Sequence, residues 1–182
     1  MTVTAGSIAP ATGNQITVSG RLIQQGTVIQ TVYTGTSVRT TYAANNSGNG
    51  TVITQLNLTI TPTRSDSTIW CRWTVFYELH HDTGFVVQRD GSLIGYNVYR
   101  GNVRWSNILT PAYDNDYSST PQQSTINWFD PAGSTAARTY QLAVRSAGTG
   151  NFTFGLNRTL GSAGVDGHEV GVSWGWAREI SG

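Results

Sequence analysis

The stretch WCRWTVFYELHHD, residues 70–82, decides the fold class. From Ile69 to Leu79 every odd-numbered residue is apolar or aromatic, whereas the even-numbered residues are a mixture of aromatic, polar and charged types. Successive side chains of a β-strand point to opposite faces, so this period of two predicts a long strand with one buried face. The other face carries Trp70 and Phe76 among polar neighbours, and is therefore a candidate contact surface.

The end of this stretch resembles a metal site, because His80, His81 and Asp82 are adjacent. On a strand, however, His80 and His81 point to opposite faces and cannot bind the same ion. His80 and Asp82 could share a face, but two ligands at the end of a strand do not make a site. We therefore expect no metal here, and a strand that runs into a turn at residues 82–84.

The same alternation recurs in residues 52–60, 140–144, 152–156 and 170–176, and no stretch of ten residues has a helical pattern. Turn residues at 46–50, Asp90-Gly91 and Asp166-Gly167 separate these segments. We predict an all-β fold, an antiparallel β-sandwich of jelly-roll type with about eight or more strands. The expected core contains Leu56, Leu58, Trp73, Val75, Tyr140, Leu142, Phe152, Phe154 and Val172.

Composition limits the function classes. The chain has 182 residues, of which 12% are charged, and its net charge of +1 gives no general attraction to nucleic acid. The single cysteine, Cys71, excludes an internal disulfide and a thiolate zinc site. No apolar run approaches the roughly 18 residues of a membrane helix, and the first residues do not resemble a secretory signal. We interpret residues 1–19 as an irregular arm and residues 20–182 as one domain.

One loop is a candidate ligand contact. Tyr113, Asp114, Asp116 and Tyr117 lie between two prolines, with Trp105 just upstream. Aromatic rings stack on the apolar faces of sugars while carboxylates accept hydrogen bonds from hydroxyl groups, so a saccharide contact is reasonable. The alternative is a solvated loop whose tyrosines cover a sheet edge. A calcium loop is not expected, because the glycine and glutamate of an EF-hand are missing.

Catalysis has no comparable signal. No pair of carboxylates stands out as a glycosidase pair, no serine occupies a nucleophile elbow, and no glycine-rich phosphate loop precedes a helix. We therefore expect a protein that is not an enzyme and needs no cofactor.

Self-association is expected from two surfaces. The first is the mixed face with Trp70 and Phe76, and the second is the small-residue face of the last strand, with Gly171, Ser173 and Gly175. Clustered aromatic residues on a mixed face more often mark an interface than an exposed surface, and small residues allow another surface to approach closely.

Five segments, taken in their order, resemble tailed-bacteriophage fibre proteins. The first segment, GRLIQQGTVIQTVYTGTSVRTTY (20–42), is similar to the usual opening strand of that family. A strand, a Thr-Pro turn and a serine-rich corner follow in QLNLTITPTRSDSTIWCRW (55–73). Then come FVVQRDGSLIG (85–95), the corner NWFDPAGSTAARTYQLAV (127–144) and the closing WGWAREISG (174–182). One departure is that Asp130 and Pro131 are adjacent, whereas the family usually has a residue between them.

The resemblance implies a jelly-roll-like β-sandwich, commonly a homotrimer, on the surface of a virion assembled in the host cytoplasm. The expected role is a fibre-type head domain that contributes to attachment, with a host glycan or protein as partner. The short arm, residues 1–19, would contact other virion proteins and also suits a capsid decoration protein that stabilises the particle. A free carbohydrate-binding, lectin-like module is a further alternative.

Overall fold

A computed structural model describes residues 23–46, 48–79, 83–95, 109–112, 119–146, 152–161 and 169–182. Within these residues the chain forms twelve β-strands and one short 3₁₀ turn, and no α-helix. The arm at residues 1–19 lies outside them. The strands are β1 (Val28–Thr36), β2 (Thr40–Ala44), β3 (Thr51–Val52), β4 (Leu58–Ile60), β5 (Thr68–Leu79), β6 (Thr83–Arg89), β7 (Ser92–Ile94), β8 (Thr110–Ala112), β9 (Gln122–Pro131), β10 (Arg138–Ser146), β11 (Phe152–Leu156) and β12 (Ser173–Ile180).

The strands form two antiparallel sheets of six strands each. The first sheet has the order β1-β12-β5-β11-β2, with β9 paired to the other edge of β5. The second has the order β3-β10-β6-β7, with β4 paired to β10 and β8 paired to β6. The chain passes repeatedly from one sheet to the other, as in a jelly roll. The predicted antiparallel β-sandwich is confirmed.

The core lies between the sheets and is centred on β5. All six odd-numbered residues from Ile69 to Leu79 are at most 1% exposed, so the predicted register of this strand is confirmed. Trp73 is fully buried, and its indole N–H donates a hydrogen bond of 2.9 Å to the carbonyl oxygen of Leu56. The ring therefore fills the interior without leaving its polar atom unpaired.

The segment 52–60 is not the single strand that its alternation predicted. A 3₁₀ turn at Thr54–Leu56 separates β3 from β4. Side chains three residues apart lie on the same side of such a turn, so Ile53 and Leu56 both reach the core while Thr54 is exposed. Leu56 and Leu58 are buried as predicted.

The last strand has the opposite register to the one predicted. Val172 is 59% exposed rather than part of the core, and the small residue Gly175 faces inward. The reason is steric: a Cβ at Gly175 would lie 2.6 Å from Cδ1 of Trp73, so only a glycine fits beside that indole. Phe152 is half-buried, and the remaining predicted core residues, including Tyr140, Leu142 and Phe154, are buried.

The hairpin between β6 and β7 has the predicted two-residue turn. Asp90 and Gly91 have φ of 52° and 78°, the left-handed values that a type I′ turn requires. The backbone N–H of Thr139 also donates to the Asp90 carboxylate, which ties this turn to β10. The turn predicted at Asp166-Gly167 lies outside the described residues.

Candidate functional site

The predicted saccharide loop cannot be placed. Its residues, Trp105, Tyr113, Asp114, Asp116 and Tyr117, lie outside the described residues. The same holds for His80, His81 and Asp82 at the end of β5. These interpretations therefore remain predictions.

The residues of the predicted contact surfaces are described, and they divide into two groups. Trp70 and Phe76 are half-buried on the outer face of the first sheet. Ser173 and Gly175 are buried between the sheets, and Gly171 lies against the ring of Phe76, where a Cβ would be 2.4 Å from Cγ. The chain's own aromatic rings thus make the close packing that the small residues predicted, and the contact surface that remains is the outer face around Trp70.

That outer face is formed where β1, β12, β5 and β9 run side by side. Trp176 is the Cα partner of Tyr33 on one side and of Arg72 on the other. Trp70 lies between Arg178 and Phe129 in the same way. We name this surface the aromatic–arginine face and define it by six residues: Tyr33, Trp70, Arg72, Phe129, Trp174 and Arg178.

Ring contacts hold the aromatic–arginine face in place. Trp70 stacks on Phe129 with 5.2 Å between ring centroids, and it meets Trp176 edge-on at 4.7 Å. The guanidinium carbon of Arg178 lies 4.2 Å from the ring centroid of Trp176, a cation–π distance. Trp176 is only 6% exposed, so it forms the floor on which the other side chains rest.

Three rings of this face remain accessible. Tyr33 is 73% exposed, Phe129 56% and Trp174 41%. The neighbours of Trp174 across the sheet are Gly35, which has no side chain, and Thr74, which has a small one, so the indole is left uncovered. A group of exposed aromatic side chains on one rigid sheet is unusual for a surface without a partner.

The two arginines of the face are not neutralised by any described residue. Within the described residues neither Arg72 nor Arg178 has an ion-pair partner, and the Nε atom of each is buried without a hydrogen bond. Two other arginines differ, since Arg64 pairs with Asp66 and Arg89 pairs with Asp130, each at 2.7 Å. The described part of the face contains no carboxylate. The face can therefore offer rings and positive charge together.

Buried carboxylates occupy the corners of the sandwich instead. Glu179 is fully buried, and its Oε1 accepts hydrogen bonds from the backbone N–H groups of Thr63 and Arg64 and from the hydroxyl of Ser67, at 2.8–3.0 Å. Its Oε2 accepts from the amide of Gln30 at 2.7 Å. Burial by itself raises the pKa of this carboxyl, but these hydrogen bonds outweigh it and hold the pKa below its ordinary value.

A second carboxylate joins three strands. Asp130 on β9 accepts hydrogen bonds from Arg89 on β6, at 2.7 Å, and from the hydroxyl of Tyr140 on β10, at 2.8 Å. Burial, together with this bond to a carboxylate, raises the pKa of Tyr140 far above the ordinary value of a tyrosine. Glu78 is similarly engaged, since it accepts hydrogen bonds from Thr120 and from the backbone N–H of Leu160. These acids tie strands and loops together.

Segments that carry the family resemblance meet at these two carboxylates. Glu179 belongs to the closing segment and binds the corner at residues 63–67. Asp130 binds Arg89 from the segment 85–95 and Tyr140 from its own segment, 127–144. The backbone N–H of Ala132 also donates to the carbonyl of Ser67, at 2.8 Å. These motifs therefore hold the fold together, and the same segments also contain the six residues of the aromatic–arginine face.

Sequence reasoning found Trp70 but missed most of the aromatic–arginine face. Tyr33 and Phe129 were not predicted as contact residues, and the alternation at 170–176 placed the face of Val172, which Trp174 shares, against the core. One signal in the sequence could have indicated this surface. Several predicted strands with alternating polarity each have an aromatic residue or an arginine on their polar face. Only the pairing of β1, β12, β5 and β9 shows that these residues share one surface.

Two searches of the described residues found nothing. No group of three or more histidine, cysteine, aspartate or glutamate side chains is placed to hold a metal ion there. No helix in that part of the chain is long and apolar enough to cross a membrane.

Comparison with known proteins finds no family that matches the chain and no curated protein with significant similarity to it. The resemblance to phage fibre proteins therefore rests on the sequence segments alone.

Proposed function

We propose that this chain is a non-enzymatic structural protein of a tailed-phage virion surface, a fibre-type head domain that contributes to attachment to the host. The observation that carries the proposal is the aromatic–arginine face. It places three accessible rings, Tyr33, Phe129 and Trp174, on a rigid sheet beside two arginines that have no ion-pair partner among the described residues. Such a surface is suited to binding rather than to bond-breaking chemistry.

The arrangement of the acids supports the non-enzymatic part. Glu78, Asp130 and Glu179 each accept two or more hydrogen bonds from their own chain, and these bonds hold strands or corners together. A general acid or base needs a proton-donating or proton-accepting atom directed at a substrate. The role of these three carboxylates is therefore structural.

The alternative role is a trimeric capsid decoration protein that stabilises the particle. The same accessible rings favour it, because aromatic residues are enriched in interfaces between proteins. In that case the face contacts another virion subunit, residues 1–19 provide a second contact, and the saccharide loop has no ligand. A free lectin-like module would also use the rings.

Locating the protein on the particle separates these roles. We expect antibodies raised against the purified chain to label fibre ends of the encoding phage in electron micrographs. Particles that lack the protein should then keep their heat resistance and lose adsorption. Labelling spread over the capsid, with heat-sensitive particles that still adsorb, would support decoration. Particles without any label, and unchanged by its loss, would contradict both virion roles.

A further inference from the structure

We propose that the aromatic–arginine face binds an acidic saccharide, with its rings against the sugar faces and with Arg72 and Arg178 on the sugar carboxylates. The biological meaning of this inference rests on the proposed attachment role, whereas the binding itself is a property of the purified chain. The residues of this site are different from those of the saccharide loop predicted at residues 105–117.

The rings supply the non-polar half of the recognition. Trp174 and Phe129 are exposed on the two sides of the half-buried Trp70, and Tyr33 extends the row onto β1. Stacking of Trp70 on Phe129 and the edge contact with Trp176 fix the orientation of Trp70 and Phe129 before any ligand binds. A preorganised aromatic surface loses little side-chain entropy on binding.

The guanidinium groups supply the charged half. Arg72 lies next to Trp176 across the sheet, and Arg178 lies over the ring of that tryptophan at 4.2 Å. A planar guanidinium donates two parallel hydrogen bonds to a carboxylate, and it stacks on aromatic rings at the same time. Since no described residue of the face is acidic, a carboxylate of the ligand would supply the counter-charge that the described part of the face lacks.

The shape of the face favours a saccharide. Four adjacent strands span about 14 Å at a spacing of about 4.8 Å, which gives a broad platform rather than a groove. Polar side chains border the rings: Asn127 accepts a hydrogen bond from the indole N–H of Trp70, and Thr125 lies beside Thr74. These amide and hydroxyl groups match the hydroxyl groups of a sugar.

Two other occupants fit less well. A second copy that used the same face would bring arginines toward arginines, with no described carboxylate to receive them. An acidic peptide would be expected to add to a sheet edge or to fill a groove, which are the common modes of peptide recognition. The charge and the flat shape together favour the acidic saccharide.

The test is titration of the purified protein with oligogalacturonate, followed by tryptophan fluorescence and calorimetry. A maltooligosaccharide of equal length is the uncharged comparison, and oligoglutamate is the acidic peptide. We expect oligogalacturonate alone to bind, with affinity that falls as salt is raised. Binding of oligoglutamate alone, equal binding of the neutral sugar, or no binding of oligogalacturonate would overturn the proposal.

Variants locate the site. Arg72→Gln, Arg178→Gln and Trp174→Ala should each weaken oligogalacturonate binding about tenfold, the usual cost of losing a charge-assisted bond or an aromatic anchor. Arg64→Gln is the matched control, because Arg64 is exposed but pairs with Asp66 in a corner. Arg72→Lys retains the positive charge but loses the two parallel hydrogen-bond donors of the guanidinium. It should bind with an affinity between those of the wild type and Arg72→Gln, and it keeps the test valid even if Arg72→Gln unfolds. Equal affinity in Arg64→Gln and the face variants would overturn the site.

Failure here and failure of the proposed function are distinguishable. If oligogalacturonate does not bind while particles that lack the protein fail to adsorb, the saccharide inference is wrong and the attachment role stands.

Discussion

At the scale of single residues, Gly175 shows how one side chain sets the register of a strand. A Cβ at this position would meet Cδ1 of Trp73 at 2.6 Å and the carbonyl oxygen of Arg72 at 2.9 Å. Because the indole fills the space, β12 turns its small residues inward and leaves Trp174 on the surface.

Gly175→Ala should therefore destabilise the protein by about 1–3 kcal/mol, the range found for overpacking. Gly35→Ala on the neighbouring strand is the control, since its Cβ would find its nearest atoms at 3.6 Å, an ordinary contact distance. Thermal unfolding measures both, at about 2–4 °C per kcal/mol for a chain of this size. Equal melting temperatures for the two variants would contradict the packing described for β12.

Cys71 gives a second test at this scale. The residue is fully buried, and burial, followed by the negative charge of Asp130, raises the pKa of its thiol well above the ordinary value. Since the thiolate is the reactive form, we expect labelling of the native protein by a thiol reagent to require unfolding. Labelling rates in water and in denaturant check this; rapid labelling of the native protein would contradict the register of β5.

At the scale of elements, Glu179 fastens β12 to the corner at residues 63–67. Its folded pKa lies below the ordinary glutamate value of about 4.3, so its contribution is complete above that pH and is lost as pH falls through the lower folded pKa. Glu179→Gln should reduce stability at pH 7 by about 1.5–3 kcal/mol, the range for hydrogen bonds to a charged group.

The difference between Glu179→Gln and the wild type should then shrink below about pH 4, where protonation removes the carboxylate from the wild type too. Denaturant unfolding across this range is the measurement. Glu169→Gln is the control, because residue 169 is exposed. A wild-type advantage over Glu179→Gln that is unchanged at acid pH would show that the charge of Glu179 is not what holds the corner.

The elements also show what the sequence could predict. Alternation was sufficient to predict which faces of β5 and β10 are buried, and the pair Asp90-Gly91 was sufficient to predict its hairpin turn. Both are local properties of the sequence. Alternation failed at residues 52–60, because a 3₁₀ turn changes which side chains face the core. It also failed at residues 170–176, where side-chain size rather than polarity determines which face is buried. The sharing of one surface by Tyr33, Arg72 and Phe129 depends on strand pairing between distant segments, which local patterns do not contain.

At the scale of the whole molecule, self-association remains a prediction, with a homotrimer expected from the resemblance. Light scattering at increasing concentration measures the mass directly, and we expect a trimer. Trp174→Ala and Tyr33→Ala should leave that trimer intact if, as we propose, the aromatic–arginine face binds a saccharide rather than another subunit. A monomer would contradict the trimer, whereas dissociation by these variants would assign the face to a subunit contact.

The most direct test of the attachment role through the aromatic–arginine face is inhibition of phage adsorption by the purified protein. The wild type and Val38→Ala, whose exposed side chain lies on the turn after β1, should inhibit adsorption equally. For the double variant Tyr33→Ala/Trp174→Ala, the protein concentration that gives the same inhibition should be at least about tenfold higher. Truncation of an aromatic anchor commonly costs more than 1 kcal/mol of binding free energy. Equal inhibition by the double variant, or none by the wild type, would contradict this role of the face.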